Sequence, residues 1–165
     1  MSAAANNDMD ELRDLYRELI LDHAKAPRHF GRLDDATHTA EGINPLCGDR
    51  LRMYFTIDAN NRISDARFEG SGCAISVASA SLLTETVIGL DTERALQFFA
   101  AMVDRLSGRP EMKAGNAPAV GDDDLGKLRA LEGVKEYPSR VKCATLAWHA
   151  LNSALRQGHQ PVSTE

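Results

Sequence analysis

Near residue 50 the hydrophobic period of the chain changes from helical to alternating, and that change sets the fold class. Leu51, Met53, Phe55 and Ile57 alternate with Arg52, Tyr54 and Thr56, the pattern of a half-buried strand. Asp58-Ala59-Asn60-Asn61 reads as a turn, because Asn tolerates left-handed backbone angles. Ile63, Ala66 and Phe68 suit a second strand, so a hairpin is predicted, with a shorter strand before it near residues 39–43. The flanks are helical. Leu12, Leu15, Tyr16, Leu19 and Ile20 recur at three- and four-residue spacing, and Pro27 stops that helix by about Lys25. Gly70-Ser71-Gly72 closes the strand region, and residues 73–88 read as a helix rich in Ala and Ser that Gly89 ends. Asp91 or Thr92 caps a further helix carrying Ala95, Phe98, Phe99, Met102 and Leu106,. Residues 109–124, rich in Pro, Gly and Asp, read as a loop. A short helix is expected over 124–131 and a last one over 140–156. The sum is an α+β fold, a small antiparallel three-stranded sheet packed with helices. One domain is expected over residues 9–157, between a disordered tail at 1–8 and a polar tail at 158–165.

Charge and composition exclude several function classes. The chain has 165 residues and a net charge of -5, without the basic excess of a nucleic-acid binder and without attraction for an anionic membrane. No apolar run approaches the roughly 20 residues that span a bilayer. The first ten residues are polar and acidic, with neither basic nor apolar signal regions, so the expected location is cytoplasmic. Hydrophobic residues make up 43% and aromatics only 5%, so aliphatic side chains and alanine must fill the core. Three cysteines, an odd number in a chain expected to be cytosolic, argue against a disulfide framework. Buried thiols, a metal site or a reactive thiol remain.

The cysteines lie at predicted element ends. Cys47 sits in the turn Asn44-Pro45-Leu46-Cys47-Gly48-Asp49, Cys73 follows Gly70-Ser71-Gly72 at a helix start, and Cys143 lies early in the last helix. A lone cysteine is often a small core hydrophobe. Against that reading, Cys73 meets the positive end of a helix, which favours thiolate. Gly48 lets the backbone turn, so that Cys47 and Asp49 can point to one centre. Three thiolates and the Asp49 carboxylate make four ligands, a set that suits tetrahedral zinc and also an iron–sulfur cluster. Spacing alone leaves both open, since the gaps are long and there is no Cys-x-x-Cys knuckle.

At these residues the chain closely resembles the SufU family, zinc-binding relatives of the IscU/NifU iron–sulfur scaffold proteins. The resemblance is carried by Leu15-Tyr16 with Ile20-Leu21-Asp22-His23 through Pro27-Arg28, by the Cys47 turn, by Gly70-Ser71-Gly72-Cys73-Ala74-Ile75-Ser76, and by Arg140-Val141-Lys142-Cys143-Ala144-Thr145-Leu146-Ala147-Trp148. It spans about residues 12–150. Lys142 stands where IscU proteins have histidine, the Leu-Pro-Pro-Val-Lys segment that a dedicated chaperone reads in IscU is missing, and residues 108–138 look like the SufU insertion. These departures favour sulfur transfer over cluster scaffolding. The resemblance implies the SufE/NifU (IscU-like) fold and zinc (Zn2+) held by Cys47, Asp49, Cys73 and Cys143. It implies a PLP-dependent cysteine desulfurase of the SufS type as sulfur donor, a SufBCD-type scaffold as a further partner, and no nucleic acid or membrane. Cys47 is then the catalytic persulfide acceptor of a zinc-dependent sulfurtransferase, displaced from zinc by a partner histidine, and Arg140 steadies the thiolate by charge. The alternatives are an IscU-like scaffold assembling a 2Fe-2S cluster and a purely structural zinc domain.

Other polar residues are expected to be structural. His23 ends a helix, Trp148 is core, and Asp122-Asp123-Asp124 is a solvated loop or cap. His149 is six residues beyond Cys143 and does not share its helix face. Ser76, Ser79 and Ser81 ease helix packing, with no serine nucleophile implied.

Overall fold

The computed structural model describes residues 2–107, 120–157 and 162–163, with side chains from residue 13 onward. Strands β1 (His38–Asn44), β2 (Asp49–Ile57) and β3 (Ile63–Ser71) form an antiparallel meander. Asn44 pairs with Asp49 at one end of the β1–β2 ladder, and Arg50 pairs with Ser71 on the other side of β2. The predicted β2–β3 turn forms around Asp58, whose Oδ1 accepts the backbone N–H groups of Asn60 at 2.9 Å and Arg62 at 3.0 Å. Asn61 takes the left-handed step, φ 64°.

The sheet differs from expectation in one respect. A fourth strand, β4 (Val162–Ser163), pairs parallel to β1 at Gly42 and Ile43, so the sheet is four-stranded and mixed, in the order β3-β2-β1-β4, rather than three-stranded and antiparallel. Two residues carry no readable alternation; backbone pairing with a sheet edge holds them. They lie within the stretch read as a polar tail, of which 158–161 and 164–165 are outside the described residues.

Helix α1 (Ser2–Lys25) starts earlier than the predicted tail allowed. It is followed, after the three long strands, by α2 (Ala74–Val87), α3 (Thr92–Ser107), α4 (Asp122–Leu125), a 3₁₀ helix over Gly126–Glu136, and α5 (Pro138–Leu155). Asp91 caps α3, its Oδ1 accepting Arg94 N–H at 2.7 Å. Of the stretch resembling an insertion, 108–119 lies outside the described residues. The remainder folds as α4 and a 3₁₀ run longer than the expected short helix. Arg105 of α3 fixes this region by reaching Asp122 at 2.5 Å and Glu132 at 2.8 Å.

The sheet's inward residues Leu51, Met53, Phe55, Ile63, Ala66 and Phe68 are fully buried, as is Trp148 of α5. Helix α5 lies on β1 and β2, with α2 and α3 packed beside it. A Cβ on Gly42 would stand 3.0 Å from Leu146 Cδ1 and 3.4 Å from the Leu146 carbonyl oxygen, so glycine lets α5 approach β1 closely. The serines of α2 pack and also bond. Ser79 Oγ donates to the Ala144 carbonyl at 2.6 Å, tying α2 to α5. Ser81 Oγ lies 2.7 Å from Nδ1 of buried His23 and accepts Arg28 N–H at 2.8 Å, tying α2 to the end of α1. Among the described residues no helix is long and apolar enough to cross a membrane.

Candidate functional site

The β1–β2 connection, α2 and α5 bring the three cysteine motifs to one end of the sheet. In the loop after Asn44, Cys47 N–H donates to the Asn44 carbonyl at 3.2 Å and Gly48 takes φ 72°, which returns the chain to β2,. Cys47 is thereby exposed at the hairpin tip, while Asp49, the first residue of β2, is 1% exposed. Cys143, one and a half turns into α5, is fully buried. Its Sγ lies 3.5 Å from Cys47 Sγ. With one Asp49 carboxylate oxygen, these ligand atoms all fall within 4.8 Å of one another. Two thiolates on a tetrahedral zinc, with Zn–S of about 2.3 Å, stand about 3.8 Å apart, so the spacing is that of a shared ion.

Cys73 lies beside this trio. It is the N-cap of α2 and is half-buried, and its thiol adjoins that of Cys143. Its backbone N–H donates to Asp49 Oδ1 at 2.8 Å. That bond fixes the carboxylate from behind, as supporting hydrogen bonds do at metal sites. The other oxygen, Oδ2, is buried and has no hydrogen-bond partner among the described residues. A buried, unpartnered carboxylate oxygen is costly, and beside two thiols it is what a divalent cation satisfies. The donor set therefore fits zinc.

Two further residues shape the site. Gly72 admits the carboxylate, for a Cβ there would stand 2.6 Å from Asp49 Oδ1 and 2.3 Å from Ser76 Oγ. Asn44, buried at the end of β1, donates through Nδ2 to Cys143 Sγ at 3.7 Å. Neither contribution to the site is visible in the sequence, where Gly72 reads only as part of the break after the strands. The one signal for Asn44 was an amide at the end of a strand, directly before Pro45.

Burial pushes the Cys143 thiol pKa up, and its contacts with Cys73, Cys47 and Asp49 add to the effect. A bound cation reverses this logic, since a coordinating thiol is deprotonated outright. Arg140, exposed on the first turn of α5, faces the same thiols. Charge on Cys73 and then the hydrogen bond to Cys143 hold its guanidinium pKa above the ordinary value.

Of the residues expected to be structural, Ser76 borders the site, its Oγ donating to the Cys73 carbonyl at 3.3 Å, while His149, His23 and Asp124 lie elsewhere. His149 packs edge-on against Phe99 at 5.4 Å. His23 bonds Ser81, and Asp124 Oδ2 accepts Gly121 N–H at 2.9 Å as a helix-start cap.

The NifU-like N terminal domain family matches residues 15–144. Over 157 residues the chain is 41% identical to the zinc-dependent sulfurtransferase SufU of Bacillus subtilis, covering 94% of this chain and 95% of that protein. It is 39% identical over 149 residues to the iron–sulfur cluster assembly scaffold protein IscU of Streptococcus pyogenes, covering 90% of this chain and 87% of the relative. The crystal structure of the SUF-system protein FiSufU from Fervidobacterium islandicum aligns with TM-score 0.74 at 35% identity, covering 84% of this chain and 94% of that one. A nitrogen-fixing NifU-like protein (N-terminal) from Brucella abortus aligns with TM-score 0.73 at 25% identity, over 88% and 95% of the two chains. With the family's domain covering most of its length and the same fold in solved relatives, the chain belongs to the NifU-like N-terminal domain family.

Proposed function

We propose that this protein is a zinc-dependent sulfurtransferase of iron–sulfur cluster assembly, accepting persulfide sulfur on Cys47 from a PLP-dependent cysteine desulfurase of the SufS type. Cys47, Asp49, Cys73 and Cys143 would hold the zinc. The observation that carries the reading is the unequal burial of adjacent thiols: Cys47 is exposed, and Cys143, 3.5 Å away, is fully buried. Zinc, when bound, keeps the thiols deprotonated at neutral pH and has no redox chemistry with which to oxidise them. Cys47, on a hairpin tip beside exposed Leu46, is the thiolate that meets a docked donor. It attacks the outer sulfur of the donor persulfide. A new S–S bond forms on Cys47, the donor's S–S bond breaks, and the donor leaves as a thiolate. Arg140, facing Cys73 and Cys143, offsets the negative charge of the site.

The test is desulfurase turnover and persulfide loading with wild-type, Cys47→Ala and Cys73→Ala proteins. Stimulated turnover, with sulfur on Cys47 and none on the Cys47 variant, is expected; full transfer by Cys47→Ala refutes the assignment. A second reading, an IscU-like scaffold for a 2Fe-2S cluster, draws on the scaffold-named relatives at 39% identity. Metal analysis separates the two. Zinc near one per chain fits the first, and iron with labile sulfide fits the second.

A further inference from the structure

A groove of about 550 Å³ opens beside Cys73, walled by α1, the 3₁₀ helix and the starts of α2 and α5. Its floor is apolar, with Ile20, Ile75 and Val134. At its edge Leu21 and Tyr137 are 41% and 60% exposed, large apolar surfaces that no described residue covers. Its charged lining is three arginines, Arg13, Arg17 and Arg140, against one acid, Glu136, in a chain of net charge -5. Among the described residues no ion pair engages Arg13 or Arg17. The two lie four residues apart on α1 and so point along one helix face.

We propose that this groove is the docking seat for an acidic amphipathic helix of the protein that takes sulfur away from Cys47. The inference rests on the sulfur-transfer reading above and adds the surface and the chemistry of the second partner. An apolar groove of this shape takes the apolar face of a helix. Carboxylates spaced one turn apart on that helix would meet Arg13 and Arg17. The groove ends at Arg140 and Ala74, next to the thiols, so a cysteine following such a helix is delivered to the site. Its thiolate attacks the outer sulfur of the Cys47 persulfide. The acceptor gains the S–S bond, the Cys47 S–S bond breaks, and Cys47 leaves as a thiolate, with no net oxidation.

The experiment follows the two transfers separately by mass spectrometry, using a SufS-type desulfurase as donor and a SufBCD-type scaffold complex as the acceptor probe. Arg13 and Arg17 are exposed, so the double variant R13E/R17E keeps the fold. It is expected to load Cys47 at the wild-type rate, but to pass sulfur to the scaffold about tenfold more slowly, because like charges now face each other across the groove. R13K/R17K should restore most of the rate. Wild-type delivery by R13E/R17E overturns the proposal. So does a parallel loss of loading and delivery, which would assign the groove to the donor. An equal slowing of delivery to glutathione would assign it to a small anionic thiol and also overturns the proposal. A wild-type protein that takes up no sulfur overturns the sulfur-transfer reading itself, before any variant is compared.

Discussion

Replacing Gly72 with alanine tests the proposed zinc site through a residue that carries no ligand atom. The added Cβ would stand 2.6 Å from Asp49 Oδ1 and 2.3 Å from Ser76 Oγ. Ser76 can rotate its buried hydroxyl aside by giving up one 3.3 Å bond to the Cys73 carbonyl, but Asp49 cannot move so freely. It is 1% exposed, and its Oδ1 already accepts Cys73 N–H at 2.8 Å. Displacing the carboxylate gives up that bond, a hydrogen bond to a charged acceptor worth about 1.5–3 kcal/mol, and shifts the oxygen donor of the proposed zinc set. Disturbing the support of a metal ligand typically lowers affinity about 10–100-fold. Gly72→Ala is therefore expected to weaken zinc binding by that factor, measured by competition with a chromogenic chelator, while helix content is unchanged. The double variant Gly72→Ala with Ser76→Ala removes the contact with the hydroxyl and leaves the one with Asp49, so it should not recover affinity. Gly48→Ala is the contrast. A Cβ there meets nothing within 4 Å, and only its left-handed backbone is strained, at about 1–2 kcal/mol. Wild-type zinc affinity in Gly72→Ala, or full recovery in the double variant, would refute the steric argument.

Three further outcomes are expected. Asn44→Ala removes the amide that donates to Cys143 Sγ and should lower zinc affinity about tenfold; unchanged competition curves would show the amide to be incidental. Burial lowers the pKa of His23 and of His149 below 6.5, so below that pH the unfolded chain binds protons that the folded chain refuses. Urea midpoints of the zinc-free protein should then fall as pH drops from about 6.5 through the lowered values, and a midpoint that rises over this window contradicts the assignment. Chelating zinc should lower the melting temperature without abolishing the helical circular dichroism signal, because the apolar core does not depend on the site; coincident melting curves with and without zinc would count against a folded-state zinc site.

What the sequence made legible depended on period and on side-chain chemistry. The β2–β3 hairpin was readable because Leu51, Met53 and Phe55 face the core in strict alternation. Cys47, Asp49, Cys73 and Cys143 were readable as a group only through the motifs that resemble the SufU family, since their spacing alone left the grouping open; the structure brings ligand atoms of Cys47, Asp49 and Cys143 within 4.8 Å of one another. β4 was not readable, since Val162 and Ser163 are held by main-chain pairing. Nor was the long 3₁₀ helix, because its apolar residues Leu128, Leu131 and Val134 repeat at a spacing that an α-helix also produces. The cradle at Gly72 was equally hidden. Its glycine is required by a contact with Asp49 that exists only once β2 and the start of α2 are side by side.

Under the proposed function, burial supplies a reason for Cys47 rather than Cys143 to react, without appeal to intrinsic nucleophilicity. If Cys143 left a shared cation, its thiolate would remain in a fully buried position among α5, β1 and the Asn44 amide. An uncompensated buried charge costs several kcal/mol. If Asp49 left, its Oδ2 would again be buried without a partner. Cys47 has neither constraint. It is exposed on a loop whose only sharp backbone demand is met by Gly48, so its thiolate moves into water rather than into the core. Burial then ranks the proposed ligands by the cost of releasing them, with Cys143 and Asp49 highest, half-buried Cys73 between, and exposed Cys47 lowest. Exposing Cys143 by trimming its neighbours should make the two thiols compete for sulfur, and sulfur that stays wholly on Cys47 in such a variant would refute a ranking by burial.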